Sequence, residues 1–106
     1  SSTLVTSGGD VLIACFCTLY ATVATSNADI DIVIDGVRQG GTNGMARRQM
    51  DNAYYRYPLT VFYLATGLSA GSHSFTLQWK ISSGVLYMEG ASALGVGGQW
   101  IVREVS

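Results

Sequence analysis

The chain has 106 residues, of which 48% are hydrophobic before its 13 glycines are counted, only 12% are charged, and the net charge is −1. About a quarter of an ordinary globular domain is charged, and a nucleic-acid platform needs a basic footprint that six Lys and Arg in all do not provide. A chain of this length is one domain, residues 1–106, with a high surface-to-volume ratio, so this much apolar surface implies burial in an oligomer.

A short strand is predicted over residues 3–6, ended by Ser7-Gly8-Gly9. Residues 11–21 form the most informative segment. Its odd positions are Val11, Ile13, Cys15, Cys17, Leu19 and Ala21, and its even ones include Leu12, Ala14, Phe16 and Tyr20. Successive strand side chains point to opposite sides, and a half-exposed antiparallel strand alternates apolar with polar. Here both faces are apolar, and a small domain has little interior left to cover the second one. The uncharged span from Val11 to Ala28 is broken by Thr18, Thr22, Thr25, Ser26 and Asn27. It is therefore no spanning helix of about 20 apolar residues, and its β-branched and aromatic content favours strand. Ser1-Ser2-Thr3-Leu4 lacks the basic flank and continuous apolar run of a signal peptide.

Residues 29–35 alternate cleanly, with Ile30, Ile32 and Ile34 inward and Asp29, Asp31 and Asp35 on the other side as a solvated acidic face. A calcium loop of the EF-hand kind would carry an acid where Val33 stands. Asp35-Gly36 and the Gly-rich stretch 40–44 are breaks, and residues 36–52 hold only moderate strand propensity around a strand at 47–50. Arg47, Arg48, Tyr54, Tyr55, Arg56 and Tyr57 then form a cluster of the types enriched at interface hot spots. The same side chains stack on sugars, so a glycan site is a second reading, and tyrosines that cover their own sheet are a third.

Residues 58–66 repeat the two-faced behaviour from Leu59 to Ala65. After a break at 67–71, residues 73–81 alternate again, with His73, Phe75, Leu77 and Trp79 opposite Ser74, Thr76, Gln78 and Lys80. Breaks at 82–84 and 95–98 separate the last strands, 85–88 and 99–105. Short strands divided by Gly, Ser and Asn turns predict an all-β, two-sheet antiparallel sandwich of about eight strands, a compact jelly roll. The alternating strands are expected in a solvent-facing sheet. The two-faced ones are expected in the sheet that meets neighbouring subunits, with Val11, Ile13, Cys15, Cys17, Leu19, Leu59, Val61 and Tyr63 as interface residues. Which face of these strands is core and which is interface stays open at this level.

Cys15 and Cys17 share a strand face about 6.6 Å apart, too far for a disulfide. With His73 the only histidine, they read as buried thiols rather than metal ligands. His73 lies on the apolar face with Phe75 and Trp79, the setting of a core or interface histidine rather than a general base. The expectation is a non-enzyme without cofactor or metal.

The run Gly67-Leu68-Ser69-Ala70-Gly71-Ser72-His73-Ser74-Phe75-Thr76-Leu77-Gln78-Trp79 resembles a signature of small jelly-roll domains in bacteriophage virion proteins. The preceding strand from Leu59 to Thr66, the opening from Ser7 to Cys17, Ile34-Asp35-Gly36-Val37 and the final strand from Trp100 to Val105 stand in the order such domains show. The resemblance covers most of the chain. It implies a non-enzymatic virion component, commonly a homotrimer around a three-fold axis, with an architecture like the tumour-necrosis-factor and complement-C1q heads. A fibre tip carries a shaft or anchoring segment and none is visible here. The expectation is therefore a capsid decoration (cement) protein located in the virion, with a receptor- or glycan-binding head domain of a tail fibre as the alternative. The partners so implied are copies of the chain and a capsid or other virion protein, with a host-surface glycan under the alternative and neither nucleic acid nor a membrane span.

Overall fold

The computed structural model describes residues 2–89 and 99–105. Among these residues there is no helix, and nine strands run in order: β1 (Ser2–Thr6), β2 (Val11–Ala21), β3 (Ser26–Ile34), β4 (Val37–Arg38), β5 (Ala46–Met50), β6 (Tyr57–Ala65), β7 (Gly71–Ile81), β8 (Leu86–Glu89) and β9 (Gln99–Glu104). Each strand predicted from the sequence is present, with β3 beginning earlier, at Ser26, and two-residue β4 additional. The break predicted at 95–98 lies outside the described residues.

The strands form two antiparallel sheets. In the first, the order is β1-β7-β3-β4, with β5 also paired to β3; in the second it is β6-β2-β8, with β9 also paired to β2. Thr18 and Leu19 of β2 pair with β6 and with β8, while Val11 to Phe16 pair with β6 and with β9. A strand has two edges, so β8 and β9 lie end to end along one of them and β6 takes the other. The two alternating segments, in β3 and β7, are neighbours in the first sheet, and the two two-faced ones, β2 and β6, are neighbours in the second.

The inner faces close on one core. Ala28, Ile30, Ile32, Ile34, Met50 and Phe75 come from the first sheet; Val11, Ile13, Cys15, Leu19, Ala21, Val61, Ala65 and Leu86 come from the second. Each large side chain buried here contributes about 1.5–3 kcal/mol. Turn chemistry sets the connections. Asp35 and Gly36 have φ of 51° and 83°, the pair of left-handed residues that a tight hairpin between β3 and β4 demands. Gly44 brings the β4–β5 loop onto β3: a Cβ there would lie 2.6 Å from the carbonyl oxygen of Ile30.

Side chains tie the two sheets along both open sides. On one, the Trp100 indole N–H of β9 donates to Ser2 Oγ of β1 at 2.9 Å, and Glu104 accepts the backbone N–H of Ser7 (3.0 Å) and Gly9 (2.8 Å). On the other, the Tyr63 hydroxyl of β6 donates to Gln39 Oε1 at 3.1 Å, and the Arg48 guanidinium of β5 lies 4.3 Å from the Tyr57 ring centroid.

This packing corrects the interface assignment. Val11, Ile13, Cys15, Leu19 and Val61 are buried in the core, and Cys17, Leu59 and Tyr63 pack partly buried against it. They hold the two sheets together, and the face of β2 turned away from the core is the even-numbered one. A strand apolar on both sides gives no sign of which side the second sheet will take.

Candidate docking surface

The outer face of the second sheet is built from the even positions of β2 and their cross-strand partners, which share a face. Leu12 stands between Leu64 and Arg103, Ala14 between Phe62 and Ile101, and Phe16 beside Thr60. Farther along, Thr18 pairs with Pro58 and Tyr20 with Tyr87. Phe62 is 60% exposed and Leu64 49%, with Phe16, Ile101 and Tyr87 also open to solvent. Phe16 and Phe62 meet edge to face, centroids 5.5 Å apart at 86°, an arrangement worth about 0.5–1.5 kcal/mol beyond the area it covers. These rings hold each other upright without removing the face from water.

The outer face of the first sheet is of opposite character. Arg47 clasps Asp29 through Nε to Oδ1 (2.6 Å) and Nη2 to Oδ2 (3.0 Å), while Lys80 Nζ approaches Asp29 Oδ2 to 3.8 Å. Arg38 Nε donates to Asp31 Oδ2 at 2.7 Å and its Nη2 to the carbonyl of Gly41. Asp31 Oδ1 accepts the backbone N–H of Ile32 and of Gly40. Asp29 and Asp31 are thus buried under arginines, which corrects the expected solvated acidic face. The Arg47 hydrogen bond holds the Asp29 carboxyl below the usual carboxylate range. Asp29, Asp31, Arg38, Gln78 and Lys80 line a cleft of about 100 Å³ whose acids are already bound to these cations.

The arginine and tyrosine cluster read from the sequence is divided by the fold. Arg47 belongs to the ion-paired face of the first sheet, and Arg48 with Tyr57 closes the side of the sandwich. Arg56 lies 5.0 Å from the Tyr20 ring, which stacks on Tyr87 at 4.7 Å and has Tyr54 at 6.4 Å. These four form one end of the apolar face. Tyr54 and Tyr55 are exposed, and Tyr54 holds a left-handed φ of 61°, fixed by its N–H donating to the carbonyl of Ala21 at 2.8 Å. Such strain in an aromatic residue is kept only where surroundings enforce it.

His73 is set among turns. Its Nδ1 lies 2.6 Å from Asp35 Oδ2 and its Nε2 2.7 Å from the carbonyl of Ser69. Both partners are acceptors, so the ring satisfies both only as the imidazolium. The Asp35 hydrogen bond raises the His73 pKa and lowers that of Asp35. Cys15 and Cys17 are free thiols; burial raises both, Cys17 to about 12, so neither is poised as a thiolate nucleophile. Among the described residues no group of three or more His, Cys, Asp and Glu converges, and no helix is long and apolar enough to cross a membrane.

No family model, curated protein or solved structure matches the chain. Phe62, Leu64, Ile101 and Tyr87, exposed on this face, are residues that the sequence did not single out. Their signal was present in the second apolar face of β2, named there through Leu12, Ala14, Phe16 and Tyr20, since whatever pairs with those positions shares their side.

Proposed function

We propose that the protein is a non-enzymatic structural component of a bacteriophage virion: a jelly-roll domain that works as a homotrimer and decorates the capsid, stabilising the head. The observation that carries this reading is the contrast between the two outer faces. One is a lattice of internally satisfied ion pairs, suited to water, and the other is an apolar sheet surface suited to contact with protein. Several ionisable groups serve hydrogen bonds within the fold: Asp29 and Asp31 fasten strands and loops, Asp35 and His73 join turns, and Glu104 closes the β1–β2 connection. The resemblance of residues 67–79, and of the segments in order around them, to phage jelly-roll domains supplies the setting.

A decoration protein that binds only the assembled, expanded shell stabilises that state by mass action. The test is co-sedimentation of the purified chain with expanded capsids, together with capsid survival on heating. Saturable binding and raised heat resistance are expected. The exposed Tyr54 and Tyr55 beside Arg56 favour one second reading, a receptor- or glycan-binding head of a tail fibre. A glycan array that gives a signal lost in Tyr55→Ala, with no capsid binding by wild type, would replace the decoration reading with that one.

A further inference from the structure

We infer that the outer face of the β6-β2-β9 layer is the surface on which copies of this chain meet, each turning Phe16, Phe62, Leu64 and Ile101 towards a shared symmetry axis. This rests on the assembly reading above for the expectation that copies associate at all; the choice of face and of occupant comes from the fold.

The area is adequate. An aromatic side chain presents about 150–250 Å², so the exposed parts of these four side chains and Tyr87 amount to roughly 450 Å² of apolar surface per copy, within the range of the largest patch on an ordinary monomer, which is often functional. Two such faces with their polar margins reach about 1,200 Å², the lower bound of a specific, stable interface. The edge beside the face points the same way. Among the described strands β6 pairs only with β2, and from Tyr57 to Thr66 it carries no charged residue. Exposed edges are normally short or guarded by Lys, Glu or Pro. Here β1 has five residues, β5 carries Arg47 and Arg48, and β9 carries Arg103 and Glu104. The nine-residue β6 has only Pro58, near one end.

The chemistry of the face selects the occupant. The central block of Ala14, Phe16, Thr60, Phe62 and Ile101 carries no charge, and the arginines at its two ends, Arg103 beside Leu12 and Arg56 beside Tyr20, are too few and too far apart for the basic footprint that an anionic lipid surface or nucleic acid requires. A second copy brings an equally apolar central block, and the net charge of −1 leaves little repulsion between copies.

The experiment is light scattering coupled to size exclusion, with sedimentation velocity, on the full chain between 1 and about 100 μM. Three variants are compared with wild type: Phe62→Glu, Leu64→Lys, and Gln78→Glu on the outer face of the other sheet. Wild type and Gln78→Glu are expected to share one discrete oligomeric mass. Phe62→Glu and Leu64→Lys should give folded monomers, at least about 100-fold weaker in association, since a buried unpaired charge is strongly penalised. Circular dichroism establishes folding, and the two independent positions protect the result against one that folds poorly. If both face variants keep the wild-type mass, the inference is overturned while the assembly reading stands. If wild type is monomeric throughout, or associates only into polydisperse aggregates, the inference is overturned; capsid binding by that monomer would leave the decoration reading intact.

Discussion

Asp31→Asn tests whether a carboxylate on the outside of a sheet can be a principal fastening of the fold. Asp31 sits at the middle of β3 with its side chain 6% exposed, beneath an Arg38 side chain that is 46% exposed. Its Oδ1 accepts the N–H of Ile32 at 2.8 Å and of Gly40 at 2.9 Å, and its Oδ2 accepts Arg38 Nε at 2.7 Å. Asparagine keeps the shape and one oxygen, which can still serve the two backbone donors. The other position becomes an amide NH₂ that faces the guanidinium, donor against donor. A hydrogen bond to a charged group contributes about 1.5–3 kcal/mol. Breaking a fully buried pair from one side costs about 3–5 kcal/mol, but Arg38 is half in water and rehydrates, which holds the loss to about 2 kcal/mol. For a domain of this size that is about 8 °C in Tm. The assay is equilibrium urea unfolding at one protein concentration, read as a lower midpoint with an unchanged slope. Lys80→Ala is the control, since its Nζ stands 3.8 Å from Asp29 on a largely exposed side chain and should change stability by less than about 0.5 kcal/mol. A double-mutant cycle with Arg38→Met should return a coupling above about 1 kcal/mol. If Asp31→Asn costs no more than the Lys80 control, the carboxylate is an ordinary surface acid and the reasoning fails.

Three further outcomes are expected. His73 has its folded pKa raised from 6.5 by Asp35 and then Ser69, so its stabilising contribution is complete below about pH 6.5 and fades as pH rises through the folded value; Asp35, lowered from 3.8, contributes above that value and loses its contribution as acid is added. The Tm difference between wild type and His73→Gln should therefore be greatest near pH 5–6 and shrink towards pH 9, and a difference flat across that range would show that the imidazolium is not the species bound. Phe75→Ala removes the largest fully buried side chain and should cost about 3–5 kcal/mol in urea unfolding; a loss below 1.5 kcal/mol would mean the two sheets do not close on it. Gly36→Ala meets no atom within 4 Å and should cost only the backbone strain of a left-handed residue, about 1 kcal/mol, whereas Gly44→Ala drives a Cβ onto the Ile30 carbonyl and should cost about 1–3 kcal/mol more; equal costs would deny that the β4–β5 loop is seated on β3.

Gly, Ser and Asn breaks located every strand but the two-residue β4, and the presence or absence of side-chain alternation sorted the longer ones. Ile30, Ile32 and Ile34, like Phe75 and Leu77, alternate with polar residues because their sheet has the core on one side and water on the other, whereas β2 and β6 carry apolar residues on the core side and on the exposed side alike. That difference separates the same two pairs of strands that the fold places in separate sheets. The splitting of Arg47 from Arg48 is also legible in the sequence, since neighbouring positions of a strand point to opposite faces. Three matters depended on tertiary structure. Period two describes a strand and is silent on where the other sheet will lie, so the choice of Val11, Ile13 and Cys15 for the core and of Phe16 and Phe62 for the outside came only with packing. Asp29 and Asp31 look solvated until Arg38 and Arg47 arrive from β4 and β5 and cover them. The bonds of His73 to Asp35 and Ser69 join a hairpin, a loop and a strand, and no local pattern encodes a contact made by three segments at once.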